Sequence, residues 1–393
     1  MASCDRLDAE VLVVGASLAG LCAAYAAARD GARTLLIDAA PEVGDRPNPA
    51  TVLMDPLWRR TGLPIPELAI ERELSGLKLG GPSGRGPTFR LRAFHLDRRV
   101  FDKSFAAIAE RAGAEVRGNV RVTGVLPSGG VDTDSAPLRA RATIFADGAG
   151  SVVRNVLPTM RNPWEVAWGL DQLLEGPGLG DSPHFEVRFG SFAPGWRAQL
   201  NPLGKGRASL WTFARGVPRD EIGFYAERAR GAFSGADRAR IVTERRGADP
   251  SFVIPGRIAG DGILACGAAA GQGGLEYGAR AGLLAGEIAA GSVRAGDASR
   301  QSLGAYEKAW RRETAREHRV VRWGMESLRR LSDAELDELF GAFEGIEFGE
   351  ETLSTLLRGD PRAILGKAGA GRVTRAAAKA AQGWIRAASQ NWR

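Results

Sequence analysis

Cysteine and histidine are scarce in this chain, whose 393 residues include three of each. Cys4, Cys22 and Cys266 stand far apart, form no Cys-x-x-Cys pair and have no histidine cluster beside them. Structural zinc sites and cysteine-ligated iron–sulfur clusters need closely spaced ligands, and a disulfide framework needs more cysteines. The sequence therefore predicts no metal site and favours a reducing compartment.

Long apolar runs are also missing. No stretch approaches the roughly 18 consecutive apolar residues that a membrane-spanning helix requires. The first ten residues carry Asp5, Asp8 and Glu10 ahead of a short apolar run, which is unlike a secretory signal peptide. We therefore expect a cytoplasmic protein, with peripheral contact to a membrane left open.

Acidic residues are absent from Arg362 to the last residue, although the whole chain carries a net charge of only +7. A helix over residues 372–393 would carry its basic side chains on one side, namely Arg372, Arg375, Lys379, Arg386 and Arg393. Its opposite side would carry Val373, Ala377, Ala380 and Trp384. This pattern predicts either contact with an anionic membrane surface or a terminal helix docked on its own domain. No nucleic-acid-binding module accompanies the basic residues, so no nucleic acid is expected as a partner.

The chain opens with a strand–turn–helix–strand pattern. Residues 11–14 form an apolar run typical of a strand buried on both faces, followed by an alanine-rich helix over residues 21–28. A second buried strand over residues 34–37 ends on Asp38, at the spacing where a carboxylate meets a ribose hydroxyl in dinucleotide-binding units. Such a carboxylate disfavours a 2′-phosphate, so FAD or NAD is favoured over NADP in this turn.

The turn itself contains Gly15, Ser17 and Gly20. Gly15 permits the tight turn, Gly20 lets the helix pack on the strand, and the helix amino terminus faces a pyrophosphate. Ser17 stands where a middle glycine normally lets the backbone approach the phosphates, and its hydroxyl adds a hydrogen-bond donor. We expect the turn to hold a dinucleotide despite Ser17.

Further patterns follow along the chain. Residues 95–116 predict a helix with Asp97 as its N-cap, and residues 142–154 predict a buried strand that runs into Asp147 and Gly148. The carboxyl end of such a strand is where cofactors lie in α/β sheets. Residues 260–291 repeat this pattern with an apolar strand, a loop of small residues and a helix.

The succession GASLAG (15–20), Asp38, DRRVFD (97–102) and ADGAGSVVR (146–154) resembles the FAD-dependent oxidoreductases built like p-hydroxybenzoate hydroxylase. Within that superfamily the chain looks most like the geranylgeranyl reductase branch, over roughly residues 9–300. The resemblance implies an α/β fold: a Rossmann-like FAD-binding domain with a parallel sheet, an antiparallel-sheet substrate domain and a C-terminal helical region. The FAD-binding domain is expected to comprise residues 1–160 and 255–300, with residues 46–95 contributing partly to the substrate side. The antiparallel-sheet substrate domain is expected over residues 161–254, and the C-terminal helical region over residues 301–393.

The resemblance also implies which residues contact FAD. Asp38 would bind the adenosine ribose, Arg98 would lie against the phosphates or the ribityl chain, and the backbone at Val122 would meet the adenine. The full set of expected FAD contacts is Gly15, Ser17, Gly20, Asp38, Ala50, Arg98, Val122, Asp147, Gly148, Gly267, Ala268, Gly274 and Leu275.

The chain departs from the branch in the second loop and in the substrate region. Ala268 stands where the branch has an aspartate, and losing that hydrogen bond to the flavin costs about 1 kcal/mol. The aromatic substrate motif of the branch is matched only at Pro202, and its cysteine after Asp38 is absent. Flavin binding is therefore implied more firmly than geranylgeranyl reduction.

The middle of the chain predicts an antiparallel sheet. Residues 184–189, 196–203 and 207–213 read as strands rich in aromatic and long apolar side chains, and a hairpin turn over residues 204–206 joins the last two. Trp196, Trp211 and Phe213 are the candidates to line an apolar substrate pocket, although each is also a plausible core residue.

These observations predict an FAD-dependent oxidoreductase that acts on a small apolar molecule, foremost as a reductase of isoprenoid-type C=C bonds. A flavin-dependent aromatic monooxygenase, and a flavin-binding protein or cyclase without net redox turnover, remain alternatives. NAD(P)H or a small redox protein would supply the electrons, since the sequence has no second βαβ unit with a G-x-G-x-x-G turn. Tyr277 and Glu276 are weak candidates for a proton donor, whereas His318, in an arginine-rich helix, is expected to be solvated.

Overall fold

The computed structural model describes residues 7–45, 50–127, 129–162 and 166–390, with side chains as far as 386. Arg393, assigned above to the basic side of the last helix, lies outside this range. The strands in chain order are β1 Val11–Val14, β2 Thr34–Ile37, β3 Val52–Met54, β4 Ile70–Gly80, β5 Thr88–Leu96, β6 Glu115–Arg117, β7 Val122–Leu126, β8 Gly130–Thr133, β9 Ala142–Phe145, β10 Ala167–Glu175, β11 His184–Arg188, β12 Ala198–Gly204, β13 Arg207–Ala214, β14 Arg240–Asp249, β15 Ala259–Gly260, β16 Ile263–Ala265 and β17 Glu347–Gly349.

The α-helices are α1 Leu18–Arg29, α2 Asp55–Trp58, α3 Arg98–Arg111, α4 Ile222–Ala232, α5 Leu275–Arg294, α6 Arg300–Leu303, α7 Ala305–Glu313, α8 Ala315–Leu328, α9 Asp333–Gly341, α10 Glu350–Leu357, α11 Leu365–Ala368 and α12 Ala370–Gln390. None of these helices is long and apolar enough to cross a bilayer within the described part of the chain.

The first sheet has six strands in the order β15-β16-β9-β1-β2-β6. β16, β9, β1, β2 and β6 run parallel, and β15 pairs antiparallel with β16. Every residue of β1, β2 and β9 is buried, as their continuous apolar runs require when both faces of a parallel sheet are covered. The loops after β1, β9 and β16 leave from the same edge of the sheet, since parallel strands end on the same side.

The second sheet has nine strands, with the path β14-β10-β13-β12-β11-β4-β5-β17 and β3 paired to β5. Most of its pairings are antiparallel, but β11 runs parallel to β4 and β17 runs parallel to β5. The three strands predicted from the aromatic segments are confirmed as β11, β12 and β13, and the predicted turn at Lys205 joins β12 to β13. β3, β4 and β5 come from before residue 97, so this sheet is assembled from distant parts of the chain. The exact domain boundaries stay a prediction.

The C-terminal helix α12 docks on helices of its own chain. Its Val373 packs against the core of the second sheet, Lys379 pairs with Glu338 of α9, and Arg386 lies 3.0 Å from Glu335 at the start of α9. Part of the basic side therefore faces the protein, while Trp384 remains 47% exposed.

His318 is buried in α8, and the expectation of a solvated side chain is wrong. Its Nε2 lies 2.9 Å from the carbonyl oxygen of Val253, and burial lowers its pKa to about 4. Trp310 and Phe252 flank the ring, so packing of separate segments, invisible in an arginine-rich helix pattern, removes it from water.

Candidate active site

The turn after β1 closes against the end of β9. Gly15 has φ of 99°, and a Cβ atom there would lie 2.8 Å from backbone atoms of Ala146 and Asp147, so both the conformation and the contact require glycine. The Ser17 hydroxyl donates to the carbonyl oxygen of Ala146 at 2.9 Å and accepts from the N–H of Gly20 at 3.3 Å. Ser17 is thus the N-cap of α1, and its hydroxyl ties the turn to β9 rather than being a spare donor.

Asp38 follows β2 and holds the same turn from the other side. Its carboxylate accepts from the N–H groups of Ala16 and Ala40, each at 2.7 Å. The carbonyl oxygen of Asp38 accepts from the N–H of Val120, which leads into β7 and places Val122 near this edge. The expected adenosine-binding residues thus lie in one region, next to the cleft described below.

Arg98 is a buried cation at the start of α3. Its guanidinium lies 2.9 Å from Asp102 one helical turn later and donates to the carbonyl oxygen of Ala50 at 2.6 Å. Burial raises the pKa of Asp102, and the charge of Arg98 opposes that rise. α3 begins behind Asp97, whose carboxylate accepts from two N–H groups of the first turn, so the predicted N-cap is confirmed.

The loop between β16 and α5 is organised by Gln272, a residue that the sequence reasoning did not single out. Its Oε1 accepts from the N–H of Gly267 at 3.1 Å and from the hydroxyl of Tyr306 at 2.9 Å. Ala268, in the position of the family aspartate, is half-buried in this loop. The signal for Gln272 was present, since it is the one polar side chain in a run of glycine and alanine from residue 267 to 274.

These loops and the second sheet enclose a cleft of about 340 Å³. Of the residues expected at the site, those that line it are Ser17, Ala50, Arg98, Gly148, Gly267, Ala268, Gly274, Leu275, Glu276, Tyr277, Trp211 and Phe213. Those outside its lining are Gly15, Gly20, Asp38, Val122, Asp147 and Trp196. The structure therefore brings most of the predicted contacts into one cleft, with Gly15, Gly20 and Asp38 supporting the turn beside it.

One wall of the cleft is apolar. Trp211 and Phe213 of β13 stack with ring centroids 5.0 Å apart, and Phe185 of β11, two strands away in the sheet, lines the same cleft. Trp196 lies behind this wall, where its Nε1 donates to Asp249 at 3.0 Å. The guanidinium of Arg197, also in the lining, lies 5.4 Å from the centre of the Phe213 ring. Arg197 was not among the residues expected at the site.

Glu276 and Tyr277 differ sharply in their surroundings. The Glu276 Oε1 accepts from the N–H of Met54 at 2.8 Å, and burial raises the pKa of this carboxyl to about 7. The hydroxyl of Tyr277 donates to Glu317 at 3.1 Å, and burial together with the charge of Glu317 raises its pKa far above the ordinary value. Of the two candidates, Glu276 is thus able to exchange a proton near neutral pH.

The residues of the cleft suit a flavin dinucleotide. Within the described residues, four buried polar atoms at or beside the cleft have no hydrogen-bond partner: Thr51 Oγ1, Asp147 Oδ1, Trp211 Nε1 and Gln272 Nε2. Buried polar groups are normally satisfied, so such atoms indicate a polar ligand or water. Helix α5 also begins at the cleft without a side-chain cap in the described structure, which leaves its positive end available to a ligand.

Comparison with known proteins agrees with this geometry. A family described as FAD dependent oxidoreductase matches residues 10–154. The chain is 30% identical to digeranylgeranylglycerophospholipid reductase 1 of Methanothermobacter thermautotrophicus, over 91% of this chain and 97% of that protein.

Solved structures share the fold. A geranylgeranyl bacteriochlorophyll reductase-like protein from Thermoplasma acidophilum superimposes with a TM-score of 0.83 at 24% identity, over 93% of this chain and 98% of that chain. The halogenase PltM in complex with phloroglucinol and FAD superimposes with a TM-score of 0.65 at 16% identity, over 94% of this chain and 85% of that chain.

Proposed function

The chain belongs to the geranylgeranyl reductase family of FAD-dependent oxidoreductases, and we propose that it reduces C=C bonds of an isoprenoid-type substrate. The observation that carries this proposal is Glu276, a buried carboxyl whose pKa is raised to about 7, in the same cleft as an aromatic wall and the glycine-rich loops.

The residues that would hold FAD are those that line the cleft together with the turn at Gly15 and Asp38. Ser17 and Gly20 keep the amino end of α1 in place, and Arg98 supplies a buried positive charge beside Ala50. Gly267, Gly274 and Leu275 form the second contact at the start of α5. When bound and reduced, FAD supplies the hydride for the reaction.

The protein's own part is to position the alkene, exclude water and deliver a proton. Reduction of a C=C bond adds a hydride to one carbon and a proton to the other. The Glu276 Oε1 is engaged by the N–H of Met54, which leaves Oε2 as the atom that carries the proton. A general acid works best when its pKa lies near the working pH, and Glu276 meets this condition.

The substrate would lie against Trp211, Phe213 and Phe185. These three rings present apolar surface without a formal charge, which suits a hydrocarbon chain and disfavours a polar one. The reductase of Methanothermobacter thermautotrophicus bears the name of a lipid with such chains, which supports the choice of an isoprenoid.

NAD(P)H or a small redox protein is proposed as the electron donor. Peripheral contact with an anionic membrane is proposed for α12, where Trp384 is 47% and Ile385 60% exposed on a helix that also exposes Arg372 and Arg375. An exposed tryptophan and isoleucine on a basic helix suit the interface of a bilayer. A lipid substrate would be reached from such a position.

Turnover of an isoprenoid alkene by the FAD-loaded protein tests the proposal. Glu276→Gln keeps an acceptor for Met54 but removes the acid, so we expect kcat to fall by about 100-fold while FAD binding is unchanged. Glu287→Gln, on the exposed part of the same helix, is the matched control and should retain activity. Hydroxylation of aromatic compounds by the wild type, or full alkene reduction by Glu276→Gln, would contradict the proposal.

A further inference from the structure

A second cavity, of about 210 Å³, adjoins the cleft and shares Thr51 and Arg98 with it. Its other walls come from β4, β5, β10, β12, β13, β14 and the start of α3. The charged and polar side chains that matter here are Glu71, His95, Asp171, Arg207, Ser209 and Arg245. This cavity is therefore polar, whereas the adjoining cleft has an aromatic wall.

The two cavities lie along one face of the second sheet. On β13, Arg207 and Ser209 line the second cavity, and Trp211 and Phe213 line the cleft. Every second residue of a strand points to the same face, so these four side chains follow one another along it. β14 also spans both cavities, with Arg245 in the second cavity and Asp249 in the cleft. A ligand on this face would meet charged groups at one end and apolar rings at the other.

His95 is buried as deeply as Asp171 in the second cavity, with 3% of its surface exposed. Its Nδ1 lies 2.9 Å from Glu71 Oε2, and its Nε2 is buried without a partner in the described residues. The hydrogen bond from His95, helped by the charges of Arg207 and Arg245, lowers the pKa of Glu71. Glu71 is thus a carboxylate that accepts from Nδ1, which leaves Nε2 for a ligand.

The carboxylates of this cavity are already engaged, but one guanidinium is not. Asp171 accepts from Ser209 at 2.8 Å and from Arg245 at 3.0 Å, and Glu71 is engaged by His95. Asp97, the third carboxylate of the lining, accepts from the N–H groups of Arg99 and Val100. Arg207 is exposed and forms no ion pair in the part of the chain that the structure describes. The guanidinium of Arg207 therefore adds a positive charge, unpaired within the described residues, at the exposed end of the cavity, whereas the Nε2 of His95 lies at its buried end.

We propose that the second cavity binds a phosphate-bearing group through Arg207, Arg245 and His95. Guanidinium groups match phosphate oxygens in geometry as well as charge, and the imidazole Nε2 at the buried end would accept from a phosphate hydroxyl. Because the cavity shares Thr51 and Arg98 with the cleft, the phosphate would belong to a ligand that reaches the cleft or to a free anion beside it. A dinucleotide electron donor and a phosphorylated lipid both carry such a group, and only this choice of source rests on the proposed function.

Calorimetric titration of the FAD-loaded protein with inorganic phosphate tests the site directly. Arg207→Gln removes a guanidinium that forms no ion pair in the described residues, and we expect it to weaken phosphate binding about tenfold. Arg246→Gln removes the same charge from the neighbouring position of β14, whose side chain points to the opposite face, and should change binding less than twofold. His95→Gln is a second variant and should also weaken binding.

Paired probes then identify the source of the phosphate. A loss on Arg207→Gln that is larger for NADP⁺ than for NAD⁺ assigns the site to the 2′-phosphate, and an equal loss assigns it to the dinucleotide pyrophosphate. A loss for a dialkylglycerol phosphate but not for the matching dialkylglycerol assigns the site to a lipid headgroup, and a loss for inorganic phosphate alone assigns it to a free anion.

The proposal is overturned if wild type binds no phosphate-bearing probe, or if Arg207→Gln and Arg246→Gln bind every probe equally. Because binding is measured without turnover, this outcome is independent of whether the protein reduces alkenes.

Discussion

The two glycine-rich loops of the cleft both depart from the pattern of their family, and they make up for it differently. The first loop replaces a glycine by Ser17, whose hydroxyl bonds to the backbone of β9 and caps α1. The second replaces an aspartate by Ala268, and there Gln272 holds the loop through Gly267 and Tyr306. A small side chain near the backbone can thus be absorbed locally, whereas a missing carboxylate leaves the loop to be held by a more distant residue.

The loops also meet. Ala19, in the first turn of α1, packs against the second loop and against α5: a Cβ atom at Gly267 would lie 2.7 Å from the Ala19 Cβ, and one at Gly282 would lie 2.1 Å from its carbonyl oxygen. Helix α5, which follows the second loop, therefore also holds the first loop in position. A substitution in α5 is expected to disturb both loops.

The largest effect is expected where α5 crosses α1. Gly282→Ala would place a methyl group against the Ala19 carbonyl oxygen, and we expect the free energy of unfolding to fall by about 3 kcal/mol or more. Gly291→Ala, on the same helix with nothing near its Cβ position, should raise it by up to about 1 kcal/mol through helix propensity. Chemical denaturation of both variants checks the contrast, and equal effects would show that the two helices do not pack as closely as described.

The next largest effect concerns only the second loop, because that loop leads into the buried carboxyl of Glu276. Its pKa is raised from the ordinary value of 4.5 to about 7 by burial, so between these pH values the native protein holds a proton that the unfolded chain has released. This contribution to stability is fully present below about pH 4.5 and is lost as the pH rises through 7, by about 3 kcal/mol.

Denaturation of wild type and Glu276→Gln across this pH range measures that loss. The variant cannot ionise, so its free energy of unfolding relative to wild type should rise by about 3 kcal/mol between pH 4.5 and 8. His318, whose lowered pKa has the opposite pH dependence, is present in both proteins and cancels in the difference. If the difference in the free energy of unfolding did not change with pH, the pKa of Glu276 would be the same in the native and unfolded states.

A smaller effect is expected for Gln272. Gln272→Ala leaves the N–H of Gly267 and the hydroxyl of Tyr306 without their acceptor, and we expect a loss of about 2 kcal/mol in stability. FAD affinity should fall about tenfold because the loop is no longer fixed. Flavin fluorescence titration measures it, with Gln301→Ala, on the surface of α6, as the control. If the FAD affinity of Gln272→Ala were unchanged, Gln272 would not contribute to FAD binding.

The smallest effect is expected at Ser17. Ser17→Gly restores the family residue and keeps a residue favourable at an N-cap, so stability should change by less than about 1 kcal/mol and FAD affinity by less than threefold. Ser17→Ala keeps a side chain but removes the cap, and should cost about 1 kcal/mol more than Ser17→Gly. If Ser17→Gly instead abolished flavin binding, the hydroxyl would be a direct ligand rather than a cap.

Much of the fold was predictable because it depends on local sequence. The apolar run at Val11–Val14, the acidic end of β2 at Asp38 and the N-cap of α3 at Asp97 each reflect a periodicity or a spacing of a few residues. The aromatic strands β11, β12 and β13 were predicted for the same reason. Gln272 was not, since its importance comes from Tyr306, which lies far along the chain.

The C-terminal helix α12 shows what a sequence pattern cannot predict. Its basic and apolar sides were predicted correctly as a pattern, but Lys379 and Arg386 turn toward α9 while Trp384 stays exposed. The pattern alone left open whether a membrane or the protein itself covers this helix, because both offer an apolar surface with charges beside it.

The sequence by itself therefore determined the strands and helices that flank the cofactor loops, the three aromatic strands and the order of those loops, since these depend on neighbouring residues. The tertiary structure alone decided that burial raises the pKa of Glu276, that His318 is buried and that His95 stands in a charged cavity. Each of these properties depends on how much water and which partners surround a side chain. Those surroundings are supplied by segments that are distant in sequence and come together only when the chain folds.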